Sequence, residues 1–499
     1  MGSWIGHLGS GLMLAFLALL VLRCAGQLGL LKNGRPGCAK ACPAGQQSKA
    51  ALPLCPAKRC GIFCWAARQE WSLHKTFCPG FLASAAAFFG VLAVQWGFAL
   101  ICWLSLRQPG GLPAFFAHFW QRFTTAGDSP HYLLLARQGY AAAGENAKCI
   151  VFYPLYPLLI RAAHTLLVPF GAGWELSALA VSQLCWGGAG AAMLRLAGRH
   201  FGRRQAFFAV VLMALYPFGF FALGIYTESL FLLLCLLCIT AAEEGRWPAA
   251  GLFCALAGLC RTQGLALLPP FWYLWLRALG GRLGLGLGLA RQSQKCQLLH
   301  TGRPQNESCS GEQAALQDEN RRRKWAFHSV RPPRFPLGSA LFGLILAPLG
   351  YLGYLALNQH LFGDALAFLQ FQSAPPWYQS IRWIGPNLAQ HWQLAQEYPG
   401  LAPFLYHAQL ALYFIGILSL LWGLFAGRPV HWLIWGGGYL GMCYLSSWLI
   451  SGSRYMFGCL PLFLLGASLP RPARLGLTAL CAVFLYRMDV FYMQGQAIM

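Results

Sequence analysis

Charge is scarce in this chain. Asp, Glu, Lys and Arg together make up 10% of it, where soluble domains carry about 25%. With hydrophobic residues at 57%, that shortage excludes a soluble globular protein and leaves a polytopic membrane protein. A length of 499 residues would suggest several soluble domains, but one continuous helical membrane domain accommodates it better. Acids are scarcer still, 14 against 37 Lys and Arg. The resulting net charge of +23 raises nucleic acid as a partner, yet most of the basic residues lie in loops assigned to one side. Membrane topology requires that distribution and a nucleic-acid groove does not. Also missing are a phosphate loop, an H-E-x-x-H pair, a paired C-x2-C and a nucleophile elbow, so no competing motif is strong.

The 19 cysteines do not make a disulfide framework. Cys102, Cys185, Cys235, Cys238, Cys254 and Cys260 fall inside apolar runs, where cysteine behaves as a small hydrophobe. Cys38, Cys42, Cys55, Cys60, Cys64 and Cys78 lie in a basic N-terminal stretch with C-x3-C and C-x4-C spacings, not the tight zinc knuckle. In a reducing cytosol they are a loose metal site or unpaired thiols; outside it they would be disulfides.

Apolar runs and the distribution of Lys and Arg give the topology. Trp4 to Leu22 reads as an uncleaved helix with its N-terminus outside, since nothing basic precedes it and Arg23 follows. Nine Lys and Arg between Arg23 and Lys75, against Glu70 alone, place that segment in the cytoplasm. Phe81 to Leu106 then exits, and the gap from Arg107 to Lys148 is external, with the aromatics of Ala114 to Trp120 suited to an interfacial helix. Tyr153 to Phe170 carries Pro154, Pro157, Pro169, Arg161 and His164, so it reads as a juxtamembrane or re-entrant segment. The remaining spans alternate so that the Arg199 to Arg204 turn and the Gly280 to Pro336 loop, with Arg321 to Lys324, are cytoplasmic. The Asn306-Glu307-Ser308 sequon would then never meet a glycosylation machinery.

The expected fold is all-α, a polytopic membrane protein of about 12 transmembrane helices, give or take two. Four regions follow. Residues 1–80 are an N-terminal helix plus a basic Cys-rich cytoplasmic segment, and 81–279 a membrane core with a catalytic external loop at 107–173. Residues 280–336 are a basic cytoplasmic loop, and 337–499 the C-terminal membrane helices with an external loop at 358–401.

Polar residues collect at the expected outer ends of the spans: Asp128 and His131, Glu228, Arg261-Thr262-Gln263, Asp364, Arg382 and Arg454. Ionisable groups at membrane depth are costly, so they are paired or functional. Acids and arginines gathered at one surface suit a phosphate-bearing lipid and a hydroxyl nucleophile. Asp128, the only acid between Glu70 and Glu145, also has an ordinary reading as the N-cap of a helix with Pro130 in its first turn. Glu228 could equally cap the helix beginning at Ser229. Arg261 and Arg454 could snorkel to the membrane boundary or hold a phosphate. Trp377, Tyr378 and Trp383 are interface anchors or sugar-stacking groups.

The ordered set Asp128-x-x-His131-Tyr132 with Gly139-Tyr140, Phe152 to Pro157, Tyr226 to Phe231, Arg261-Thr262-Gln263-Gly264 and Arg454-Tyr455 resembles the PIG-V family. That family comprises the GPI mannosyltransferase 2 type and bacterial relatives, within the C-type (GT-C) glycosyltransferases. The resemblance runs from about residue 82 to 465. It departs at Gly127, where eukaryotic members carry Trp, and in the first eighty residues and the Gly280 to Pro336 loop.

The resemblance implies a GT-C-like core and inverting transfer of mannose from a polyprenyl-phosphate mannose to a hydroxyl of a glycan or glycolipid acceptor, on the extracytoplasmic face. Asp128 would be the catalytic base, with His131, Tyr132, Glu228, Arg261, Gln263, Arg454 and Tyr455 binding substrate. Arginines can neutralise the leaving phosphate, so neither a divalent metal nor another cofactor is expected. Membrane lipids are partners and nucleic acid is not. Two alternatives remain: a transferase of another polyprenyl-phosphate sugar, and a polytopic lipid or glycan transporter, against which the chain shows no convincing internal repeat. A lack of eukaryotic sorting signals favours a bacterial cytoplasmic membrane over the endoplasmic reticulum.

Overall fold

The computed structural model describes residues 1–28, 77–283, 336–400, 405–447, 449 and 451–495. The cysteines from Cys38 to Cys64, the Asn306 sequon and the Arg321 to Lys324 run lie outside them. No β-strand occurs among the described residues; a single isolated bridge joins Ile381 to Ser446.

Among the described residues six helices are long and apolar enough to cross a membrane: α1 (Gly2–Gln27), α2 (Phe81–Ser105), α6 (Trp174–His200), the joined α11–α12 (Leu337–Phe362), α15 (His407–Phe425) and α19 (Arg471–Met493). Apolar composition marks each of them, and Pro348 divides α11 from α12 within the fourth. The count becomes seven if the bent pair Glu145–Val151 and Leu155–Phe170, which meet at 107°, is one span. Such a bend is that of a broken span or of a re-entrant loop, and the expectation for that proline-rich stretch is a juxtamembrane or re-entrant segment. Between α2 and the pair lie two short helices, α3 (Gly111–Thr125) and α4 (Ser129–Gln138); α5 (Leu155–Leu167) is part of the pair itself.

The other expected spans are shorter helices, so the structure supports six or seven spans by length and composition, not about twelve. They are α7 (Arg203–Ala214), α8 (Glu228–Glu243), α9 (Trp247–Cys260), α10 (Leu268–Arg282), α16 (Val430–Tyr444), and the pair α17 (Gly452–Tyr455) and α18 (Pro461–Ala467). Hydropathy marks an apolar run but not where its helix stops. The run from Phe207 ends as helix at Ala214, shortly before Pro217, and continues as irregular backbone with a 3-10 turn at Gly219–Ala222. α8, 16 residues long, reaches about 24 Å, short of the ~30 Å hydrocarbon core. Two further helices, α13 (Ala367–Ser373) and α14 (Ile384–Glu397), complete the set.

Small residues let the helices approach closely. α9 packs on α11–α12 through Gly251, Gly343 and Gly350, and a Cβ at Gly350 would land on the carbonyl oxygen of Ala255. Glycine is the residue that permits such backbone contact in membrane bundles. In an unencumbered helix Gly to Ala is stabilising, but here the clash decides the sign. Gly350→Ala is expected to destabilise by about 1–3 kcal/mol, read as a lower melting temperature in detergent.

Candidate active site

The Gly127-Asp128 corner joins α3 to α4. Gly127 has φ +58°, and a Cβ there would stand 2.8 Å from the hydroxyl of Tyr226. The backbone conformation and the lack of space both call for glycine, where the resembled eukaryotic enzymes have tryptophan. Tyr226 in turn donates its hydroxyl to the carbonyl of Ala126 at 2.9 Å. The corner is therefore locked against the loop that precedes α8.

Asp128 stands at the N-cap position of α4, but its side chain makes no capping bond. It pairs instead with Arg454, Nη1 to Oδ2 at 2.7 Å. Arg454 turns its Nε to Glu228 Oε1 at 2.5 Å, and Arg261 Nη1 reaches the same oxygen at 2.9 Å. The four groups form one chain, Asp128–Arg454–Glu228–Arg261, in which two acids balance two arginines. The Thr227 N-cap of the helix that Glu228 begins makes no side-chain capping bond.

Burial grades along this chain. The side chains of Glu228, Arg454 and Arg261 are 2%, 5% and 9% exposed, while Asp128 is 29% exposed. Snorkelling therefore describes neither arginine. Buried charges need partners and full hydrogen bonding, and rings supply further contact: Arg454 lies 4.5 Å from the Tyr226 ring centre and 4.7 Å from that of Phe221. Arg261 lies 4.9 Å from the Tyr455 ring, a cation–π distance. Glu228 Oε2 is buried without a partner. Only Asp128 offers a carboxylate edge to solvent.

The other expected residues line this centre. His131 stacks on Phe152 at 5.0 Å, and Trp377 approaches both rings at 6.2 and 5.9 Å. Burial holds the His131 imidazole below its ordinary pKa, opposed by Asp128 and assisted by Lys148. Tyr132 is buried edge-on against Phe152 and Tyr156. Gln263 sits half-buried in the Thr262–Leu267 turn beside Arg261 and takes no part in the ion pairs. Its neighbour Thr262 donates to the Tyr153 hydroxyl at 2.9 Å.

Two residues grouped with these from sequence belong elsewhere. Asp364 accepts from the Leu366 amide at 2.8 Å and from Gln370 at 2.9 Å, a local cap. Arg382 is held by Asn387 at 2.6 Å and by Gln390. Conversely, Tyr226 and Phe221 are the walls around Arg454; Tyr226 opens the Tyr226 to Phe231 motif, and Phe221 carries no sequence signal.

These features define a polytopic helical membrane protein with a partly exposed carboxylate backed by a buried acid–arginine relay. The mannosyltransferase (PIG-V) family model matches a segment of the chain, residues 104–276. It contains Asp128, Glu228 and Arg261; Arg454 lies beyond it. The chain is 33% identical over 145 residues to GPI alpha-1,6-mannosyltransferase 2 of Rattus norvegicus, covering 28% of this chain and 29% of that protein. To the protein of the same name from Cricetulus griseus it is 32% identical over 145 residues, covering 28% of each. The matches thus span less than a third of these curated relatives. No solved structure matches the chain.

Proposed function

We propose that the protein is a membrane mannosyltransferase that moves mannose from a polyprenyl-phosphate donor to a hydroxyl of a glycan or glycolipid, with inversion. One observation carries the reading: the partly exposed carboxylate of Asp128, inside the segment of PIG-V type, is joined through Arg454 to Glu228 and Arg261. In the reaction the acceptor oxygen bonds to the anomeric carbon as the carbon–oxygen bond to phosphate breaks. The acceptor proton goes to Asp128, whose Oδ1 is not the oxygen paired with Arg454. The electron pair of the broken bond ends on the phosphate, where Arg454 and Arg261 neutralise the developing charge. His131, Tyr132, Trp377 and Tyr455 form the aromatic wall for the sugar.

In this reading the site faces away from the cytoplasm, because Arg195, Arg199 and Arg246 gather at the Glu243 end of α8, opposite Glu228. Similarity to two rodent proteins weighs towards the endoplasmic-reticulum alternative over a bacterial membrane. The test uses purified protein in lipid, a membrane extract as acceptor source, and radiolabelled polyprenyl-phosphate mannose beside nucleotide-activated mannose and polyprenyl-phosphate glucose. Label should enter the acceptor fraction from polyprenyl-phosphate mannose alone. Transfer from the glucose donor would move the protein to another sugar, and no transfer from any donor would sink the reading.

A further inference from the structure

Three helix ends converge far from the Asp128 relay. Glu228 and Glu243 are the first and last residues of α8, about 22 Å apart along its axis. At the Glu243 end, His200 closes α6 and His431 stands second in α16. Nε2 of His431 lies 2.7 Å from Glu243 Oε1, and Nε2 of His200 lies 2.9 Å from the same oxygen. The three ligand-type atoms fall within 4.8 Å of one another.

We propose that His200, Glu243 and His431 form a binding site for a divalent transition metal of the zinc class, which ties α6, α8 and α16 together. Two imidazole nitrogens and one carboxylate oxygen are a donor set that zinc takes, with a fourth position left for water. At bond lengths of about 2.1 Å, neighbouring ligands of a tetrahedral zinc stand about 3.4 Å apart. The two nitrogen–oxygen spacings, 2.7 and 2.9 Å, are shorter than that, so the side chains would part slightly to admit the ion. His200 is 24% exposed, which gives the water position access to solvent.

The surroundings distinguish this from a surface ion-pair cluster. The two acids there already have arginine partners. Arg199 Nε holds Glu243 Oε2 at 2.9 Å, while Arg195 and Arg246 hold Glu244 at 2.8 and 2.6 Å. Arg199 also donates from Nη2 to the Glu243 carbonyl at 3.1 Å. That grip fixes the carboxylate with Oε1 towards both imidazoles, while His200 Nε2 also lies 3.0 Å from Oε2. Trp432 packs edge-on against His200 at 4.6 Å and walls the site. α6 and α8 lie within residues 104–276 and α16 outside it, so the ion would join the PIG-V-type region to the C-terminal helices.

The test is metal content of the full chain purified from zinc-supplemented cells, for wild type, His431→Ala and Glu243→Gln. Each variant should carry one zinc fewer per chain than wild type. Chelation should lower the wild-type melting temperature by about 5 °C, zinc should restore it, and the variants should respond to neither. If His431→Ala does not fold, His431→Gln and the visible absorption of cobalt-loaded wild type replace it; a ligand-field band of tetrahedral type is expected. Equal zinc in wild type and variants, or zinc-free wild type with a melting temperature blind to chelator and zinc, would overturn the site. None of these readouts depends on mannose transfer.

Discussion

Asp128→Asn is expected to lower the rate of mannose transfer at saturating donor by about 10²–10⁴-fold, the usual worth of a positioned general base, with the fold intact. Asparagine keeps the size of the side chain and an oxygen that still accepts from Arg454, but it cannot take the acceptor proton. Stability should change little. The side chain is partly exposed, and Arg454 keeps its second partner, Glu228. The check is kcat with KM for the donor and the melting temperature of the same sample. A normal kcat would mean that Asp128 serves only to hold Arg454. A normal kcat with a raised donor KM would make it a binding group, since loss confined to KM marks uniform binding.

The residues of this site were legible in the sequence, and their partners were not. Asp128 stood out as a lone acid in a polar gap, with an N-cap as its ordinary role. The structure gives the carboxylate to Arg454 instead, 326 positions along the chain, a contact that no local spacing encodes. Arg261 and Arg454 were read as snorkelling or phosphate-binding groups, and Glu228 as a helix cap; all three have their closest charged partners in each other. Long apolar runs such as those of α1 and α2 were read correctly as spanning helices. The shorter runs misled because composition carries no record of backbone breaks, as beyond Ala214, where the chain leaves the helix before Pro217. The His200, Glu243 and His431 group left no trace at all. Its members come from three separate helices, and a metal-binding motif is recognised in sequence only when its ligands recur at short spacing.

Arg454 has the larger structural consequence. Arg454→Met removes a guanidinium that is 5% exposed and leaves Glu228 buried with Arg261 alone. Breaking a buried pair by deleting one partner costs about 3–5 kcal/mol, so this variant should express poorly and unfold at a markedly lower temperature. Arg454→Lys separates charge from geometry. A lysine is a single point of charge, whereas arginine meets Glu228 through Nε and Asp128 through Nη1 at once. The lysine variant should therefore fold while losing most transfer activity, because the carboxylate of Asp128 or that of Glu228 must go without its partner. The double variant Arg454→Met with Glu228→Gln should recover part of the lost stability, since it leaves no orphaned charge. A coupling energy of about 0.5–3 kcal/mol is expected from the cycle. Strict additivity of the two single variants would show that Arg454 is stabilised by the rings of Tyr226 and Phe221 and not by Glu228, and the relay would then reduce to the Asp128–Arg454 pair.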